Sequence, residues 1–294
     1  MKATITKPRR AWLAALLSLL GGPLGQVYSG GFRRSAVLWC VGALLLTLLA
    51  FSSISLPLGR FAFRLFLLCV AAFPIYLAVD AFLLARRNRD IPLKRYQRWW
   101  VYILLFLAFV AANYLVAHAV RSFIAEAFVV PGRAMSPTVQ HRDRILVDKL
   151  WSHSSRLRRN QLVVFRTDGP NSPLYVMRVI GLAGDAIELK NERLFVNGIE
   201  ADDQHAVFDG PLPTHIDIAN HGPITIPEDS FFVLGDNRRL SKDSRLLGPI
   251  PLSNFYGIAR LIYWSRDHTF PDPRDSSYTV PGPIRWDRIG RRLD

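Results

Sequence analysis

The residues best able to do chemistry fall in short boxes in the second half of this chain. One reads Val130-Pro131-Gly132-Arg133-Ala134-Met135-Ser136-Pro137-Thr138-Val139, and Asp143-Arg144-Ile145-Leu146-Val147-Asp148-Lys149 follows it. A second reads Tyr175-Val176-Met177-Arg178-Val179-Ile180-Gly181-Leu182-Ala183-Gly184-Asp185. A third, Val233-Leu234-Gly235-Asp236-Asn237-Arg238, is followed by Ser241, Asp243, Ser244 and Arg245. Hydroxyls, carboxylates and basic groups are the side chains these boxes offer for chemistry, and a hydroxyl becomes a nucleophile only when a nearby base takes its proton. Ser136 is a candidate nucleophile, with Lys149 or Lys242 as base. In an extended segment it would share a face with Ala134, about 6–7 Å away. The competing reading makes Ser136 an ordinary turn hydroxyl before Pro137. Asp236, Asn237, Asp243 and Arg245 read as turn formers and an ion pair that shape a site. His205, His215 and His221 are spaced by ten and six residues, which fits no compact metal motif; they read as solvated loop histidines, and no metal or cofactor is expected.

The elements that must position these groups are short. Ile145–Lys149, Gln161–Arg166, Leu174–Ile180, Ala186–Lys190, Arg193–Val196, Phe231–Leu234 and Tyr256–Tyr263 have the β-branched and aromatic texture of strands. Asn197-Gly198 and Gly184-Asp185 are turn signals between them. The expectation is a mostly antiparallel β-domain over 122–270, with an insertion or extended loop near 201–229 and a loosely ordered Pro- and Arg-rich tail over 271–294.

The first half is of another kind. Three apolar stretches, Ala36–Phe51, Phe61–Leu84 and Val101–Val120, approach the roughly 20 residues that span a bilayer. Trp12–Leu20 is too short to cross and runs into Gly21-Gly22-Pro23, so residues 12–32 read as a re-entrant or interfacial hairpin. Residues 1–121 hold 15 of the 37 Lys and Arg but only Asp80 and Asp90 as acids, a surplus of 13 out of a net charge of +14. The basic surplus therefore belongs to the apolar half, and the globular half has none with which to neutralise nucleic-acid phosphates. Bases flanking apolar runs orient membrane proteins with those bases in the cytoplasm. Clusters at Lys2–Arg10, Arg33-Arg34 and Arg86–Arg98 then require three spans, with everything after about Arg121 exported. Trp99, Trp100 and Tyr102 would mark an interface, and the apolar run Ala125–Val130 would hold the β-domain against the membrane surface. Cys40 and Cys69 sit within apolar runs and read as small helix-facing residues, not a redox pair.

In order and content the boxes resemble those of type I signal peptidases. In that family the first box carries a nucleophilic serine before Met-x-Pro-Thr, and the second carries a general-base lysine before an arginine. The third box is Gly-Asp-Asn followed by Ser-x-Asp-Ser-Arg. The resemblance runs over about 125–265 and implies a signal-peptidase-like β-fold behind an α-helical membrane module. It places the nucleophile at Ala134 and the base at Met177, with Gly132 where some members add an oxyanion hydroxyl. Ser241 stands where the family has a serine that orients the lysine. Met135, Pro137, Arg178, Gly235, Asp236, Asn237, Asp243 and Arg245 keep the family's residue types. Arg133 and Ala183 depart from the pattern, which suits natural drift better than engineered replacement. The Pro-Leu-Gly-Gln-x-Tyr-x-Gly stretch from Pro23 resembles small membrane modules fused to such proteases.

Alanine offers no nucleophile and methionine no titratable group, so both partners of the expected dyad are missing. Methionine has about lysine's reach and would fill the same space without burying a charge. The primary reading is an inner-membrane, multi-pass pseudoenzyme of the signal peptidase family, its β-domain exported, retaining binding of signal peptides or extended segments beside the lipid bilayer. Two alternatives stay open: a peptidase working through a substitute such as Ser136, and a non-catalytic assembly subunit of a membrane complex.

Overall fold

A computed structural model describes residues 9–55, 59–91, 97–150, 157–167, 172–210, 219–267, 270–272, 275–280 and 282–293. The chain divides into two compact units, Met1–Ala119 and Val120–Asp294.

The first unit is helical: α1 Ala11–Gly21, α2 Leu24–Tyr28, α3 Phe32–Ser55, α4 Gly59–Arg87 and α5 Trp99–Ala119. Two apolar stretches, Arg64–Arg87 and Trp99–Ile124, are long enough to cross a membrane. Gly22-Pro23 separates α1 from α2, because proline has no amide to continue the helical ladder. A polar staple fixes this hairpin. The Gln26 amide donates to Leu77 O (2.9 Å) and Asp80 (3.2 Å), Ser29 Oγ donates to Ala81 O (3.0 Å), and Arg34 pairs with Asp80. Only glycine fits at position 25, since a Cβ there would lie 2.1 Å from Ala14 O and 2.2 Å from Ser18 Oγ.

The second unit is β-rich. A seven-stranded sheet runs in the order β1-β2-β11-β3-β4-β9-β10, and a four-stranded sheet runs β7-β6-β5-β8. The strands are β1 Ala125–Val129, β2 Arg144–Asp148, β3 Leu162–Arg166, β4 Leu174–Leu182, β5 Ala186–Lys190, β6 Arg193–Val196, β7 Ile199–Glu200, β8 His221–Thr225, β9 Ser230–Leu234, β10 Ile250–Pro251 and β11 Phe255–Trp264. Every strand pair is antiparallel. The Phe-Phe-Val-Leu run of β9 is explained by burial on both faces. Phe231 and Val233 enter one core with Val163, Phe165 and Val179, while Phe232 and Leu234 enter a second with Ile180, Ile187 and Leu189. Each such side chain contributes roughly 1.5–3 kcal/mol. Asn197 and Gly198 both take positive φ in the β6–β7 hairpin, the geometry of a two-residue primed turn.

Several expectations need correction. Ala125–Val129 pairs with β2 as a strand and alternates in burial, because its backbone groups complete a sheet edge. The stretch near 201–229 is more than a loop: Val207 N donates to Asp236 O (2.7 Å), and His221 lies half-buried in β8 against the Phe232 ring. His215 lies outside the described residues. Of the expected loose tail, the described residues form the hairpin β12 Phe270–Asp272 and β13 Asp275–Val280 and bury Arg288 and Leu293, where Arg288 meets the buried Asp143 carboxylate.

Candidate active-site groove

Antiparallel pairing places the second and third boxes side by side. Met177 faces Val163 across β3–β4, and the next residue, Arg178, pairs with Leu234 at the end of β9. The chain then turns through Gly235-Asp236-Asn237, and Asn237 N donates to the carbonyl of Ala134 (2.9 Å). A Cβ at Gly235 would lie 2.7 Å from that carbonyl and 2.2 Å from Ser241 Oγ, so glycine is what allows the Ala134 turn to seat. Ala134 and Met177 thereby line one groove of about 330 Å³, walled by Phe128, Val130, Tyr175 and Val176, with Lys242 at its margin. Met177 is buried and Ala134 half-buried.

Buried charge pairs make the frame rigid. Arg178 grips Asp236 through two bonds of 2.7 Å, both side chains being almost wholly buried. Asp243 accepts from Gly235 N (3.0 Å), from Arg245 N (3.2 Å) and from the Arg245 guanidinium (2.8 Å). Ser244 Oγ accepts from Val233 N (3.0 Å). Fully hydrogen-bonded pairs such as these fix geometry, and removing one partner strands the other charge. Asp236, Asn237, Asp243 and Arg245 are thus the scaffold of the groove.

The loop bearing Ala134 is held from both sides. Met135 and Val139 are buried plugs, and Arg142 N donates to Val130 O (2.8 Å). Asp143, wholly buried, accepts from Ser265 Oγ (2.6 Å), Arg285 Nη2 (3.0 Å) and Arg288 Nη2 (2.6 Å). Arg288 also donates to Thr138 O (2.9 Å), and Arg285 to His141 O (3.1 Å). Sequence reasoning missed these two arginines. The only available signal was an unpartnered Asp143 within a recognisable box.

Two of the substitute candidates, Ser136 and Lys149, are engaged elsewhere, while Lys242 lines the groove itself. Ser136 lies in a turn, its N–H bonded to Arg133 O (3.0 Å), and not in an extended segment. Positions 134 and 136 therefore do not share a face, and Ser136 lines a separate polar cavity with Pro137, Gln140 and His141. Lys149 Nζ donates to Glu126 (3.2 Å) and Tyr256 Oη (3.0 Å). Burial alone would lower the Lys149 amine, but the bonds to Tyr256 and Glu126 and their charges outweigh it and hold the amine above the usual lysine range. It is an ammonium at neutral pH and has no capacity to accept a proton. Burial would likewise raise Glu126, and the Tyr256 and Lys149 bonds overcome it and hold the carboxyl low. Ser241 Oγ is buried with no hydrogen-bond partner among the described residues. Gly132 is exposed, and a Cβ there would meet nothing nearer than Ala134 N at 4.0 Å.

An antiparallel sheet with an apolar groove near buried Asp–Arg pairs is the architecture to compare with known β-domains. Residues 98–264, more than half of the chain, match the family described as signal peptidase, peptidase S26. The chain is 35% identical over 152 residues to signal peptidase I P of Bacillus subtilis subsp. natto, covering 50% of this chain and 82% of that protein. It is 31% identical over 173 residues to signal peptidase IB of Staphylococcus aureus strain COL (55% and 90%). A crystal structure of a signal peptidase I from Enterococcus faecalis V583 overlaps 35% of this chain and 96% of its own, at 25% identity and a TM-score of 0.29. This chain belongs to the signal peptidase family. Helices α1 to α4 lie outside the matched residues.

Proposed function

We propose that this chain receives signal-peptide-like extended segments of exported proteins in the Ala134–Met177 groove and does not cleave them efficiently. One observation carries the reading: the positions where the family resemblance puts serine and lysine share one groove, and they hold side chains with neither a nucleophilic nor a titratable atom. The orphan Ser241 hydroxyl is what remains when a lysine that it would orient is replaced by methionine. Lys149 is committed to Glu126, which removes it as a substitute base. We also take α3, α4 and α5 as three membrane spans, with the basic segments around Arg33 and Arg86 cytoplasmic and the β-rich unit on the exported side.

The frame would act on a bound segment by strand addition along open backbone edges, with the apolar groove accepting small side chains. Cleavage would need a hydroxyl at 134 to attack the scissile carbonyl while a neutral amine at 177 takes its proton; burial in this groove would keep that amine uncharged. In this reading the N–H of residue 134 would serve as the oxyanion donor. Cleavage of a preprotein by the purified chain is the test, beside Ala134→Ser/Met177→Lys and Ser136→Ala variants. Activity in the double variant alone is the expected result. Cleavage by the unmodified chain that disappears with Ser136→Ala would overturn the proposal. Photocrosslinking of a signal peptide to the unmodified chain should label the groove; complete failure would favour a role in assembly instead.

A further inference from the structure

We propose that the helical unit carries a binding site for the phosphodiester headgroup of an anionic membrane lipid, built from Arg9, Arg10, Arg86 and Arg89. This inference is independent of whether the β-rich unit cleaves anything. The four arginines line one cavity of about 610 Å³, together with Trp12 and Phe82, and no acid is among its described lining residues.

Arg9 is the anomaly that points to a ligand. The residue is about 5% exposed, yet no carboxylate pairs with it among the described residues. Its guanidinium donates to Ser29 O (2.9 Å), Asn88 O (3.1 Å) and Gln97 Oε1 (3.3 Å), while Nε is buried with no partner. Carbonyl dipoles position the group but leave its full charge uncompensated, which is costly away from water. The acid nearest in kind, Asp80, is already taken by Arg34 and Gln26. Arg86 stands over the Phe82 ring at 5.8 Å, and Arg10 and Arg89 are exposed, their side chains making no bond within the described residues. The cavity also meets the first turn of α1, an eleven-residue helix with no acid in that turn and no side-chain cap. The helix dipole thus adds positive potential to that of four guanidiniums. Repulsion among these groups is relieved by an anion, and guanidinium forks match phosphate oxygens in pairs.

The position selects a lipid over a soluble phosphate. Arg86 closes the apolar stretch Arg64–Arg87, which is long enough to cross a bilayer, and so stands at headgroup level if that stretch spans. Trp12, Leu16, Leu19 and Leu20 on α1, all exposed, offer apolar walls on which acyl chains would lie.

The experiment is native mass spectrometry and thermal unfolding of the 294-residue chain in nanodiscs of phosphatidylcholine with increasing phosphatidylglycerol. Phosphatidylglycerol should be retained at least tenfold over phosphatidylcholine. Removing a cavity arginine (Arg10→Gln, Arg86→Gln or Arg89→Gln) should weaken retention by about fivefold each. Arg87→Gln, adjacent but outside the cavity, should change it less than twofold. Equal losses from Arg87→Gln and the cavity variants would reduce the effect to diffuse surface attraction and overturn the site. Inorganic phosphate or glycerol 3-phosphate protecting the detergent-solubilised chain as well as the lipid does would overturn the lipid assignment. Arg10→Gln keeps the test decisive if another variant misfolds, because the Arg10 side chain has no structural bond to lose.

Discussion

The frame of the groove and its centre have been treated in opposite ways. In the frame, Asp236 and Asp243 are buried acids whose charges are met by Arg178 and Arg245. In the centre, Ala134 and Met177 carry no polar side-chain atom, and Ser241 is left with a buried hydroxyl bonded to nothing described. Buried charge pairs and a catalytic dyad are both expensive to bury, and here only the charged groups of the pairs are matched by partners. The contrast teaches that the residues that hold this groove in shape are not the residues at its centre.

The largest effect that could break this contrast is catalytic. Ala134→Ser/Met177→Lys should raise preprotein cleavage by about 10⁴-fold or more over the unmodified chain, while either single substitution stays near background, because the two groups act as a unit. A gain from one substitution alone would mean that another residue supplies the missing partner. On the frame side, Asp236→Ala should cost about 3–5 kcal/mol in thermal unfolding by leaving Arg178 buried and unpaired. Asp143→Ala should cost a similar amount, because it strands Arg288. Smaller and opposite in sign, Ser241→Ala should be neutral or stabilise by about 1 kcal/mol, since a buried unsatisfied hydroxyl is removed. In the Ala134→Ser/Met177→Lys background the same change should instead reduce cleavage. The smallest effect concerns the Glu126–Lys149 pair, worth about 1 kcal/mol at a partly exposed site. The Glu126 carboxyl is held below its ordinary value of 4.5, so its contribution is complete above that pH and is lost as pH falls through the lowered value. Lys149→Met should therefore flatten the acid limb of the stability profile measured by denaturant unfolding.

The seven strand expectations fall within one or two residues of observed elements, because β-branched alternation and turn pairs such as Asn197-Gly198 are local signals. The family boxes were equally legible, being contiguous. What escaped the sequence is non-local. Ala125–Val129 is not among the expected strands, because the strand it pairs with follows a long turn. Ser136 was placed on the face of Ala134 by extended-chain geometry, which the turn bonds of Arg133 and Met135 cancel. Arg285 and Arg288 lie in a tail whose composition predicts loose order; nothing in their neighbourhood announces an acid 142 and 145 positions earlier.

That last distance has a consequence for biogenesis. A chain is made from its N-terminus, and its domains fold as they emerge. The turn bearing Ala134 is synthesised near the midpoint of the chain, yet its clasp on Thr138 and Asp143 arrives with Arg285 and Arg288. Until those two arginines are in place, the turn bearing Ala134 lacks its clasp on Thr138 and Asp143, even where the strands are already paired.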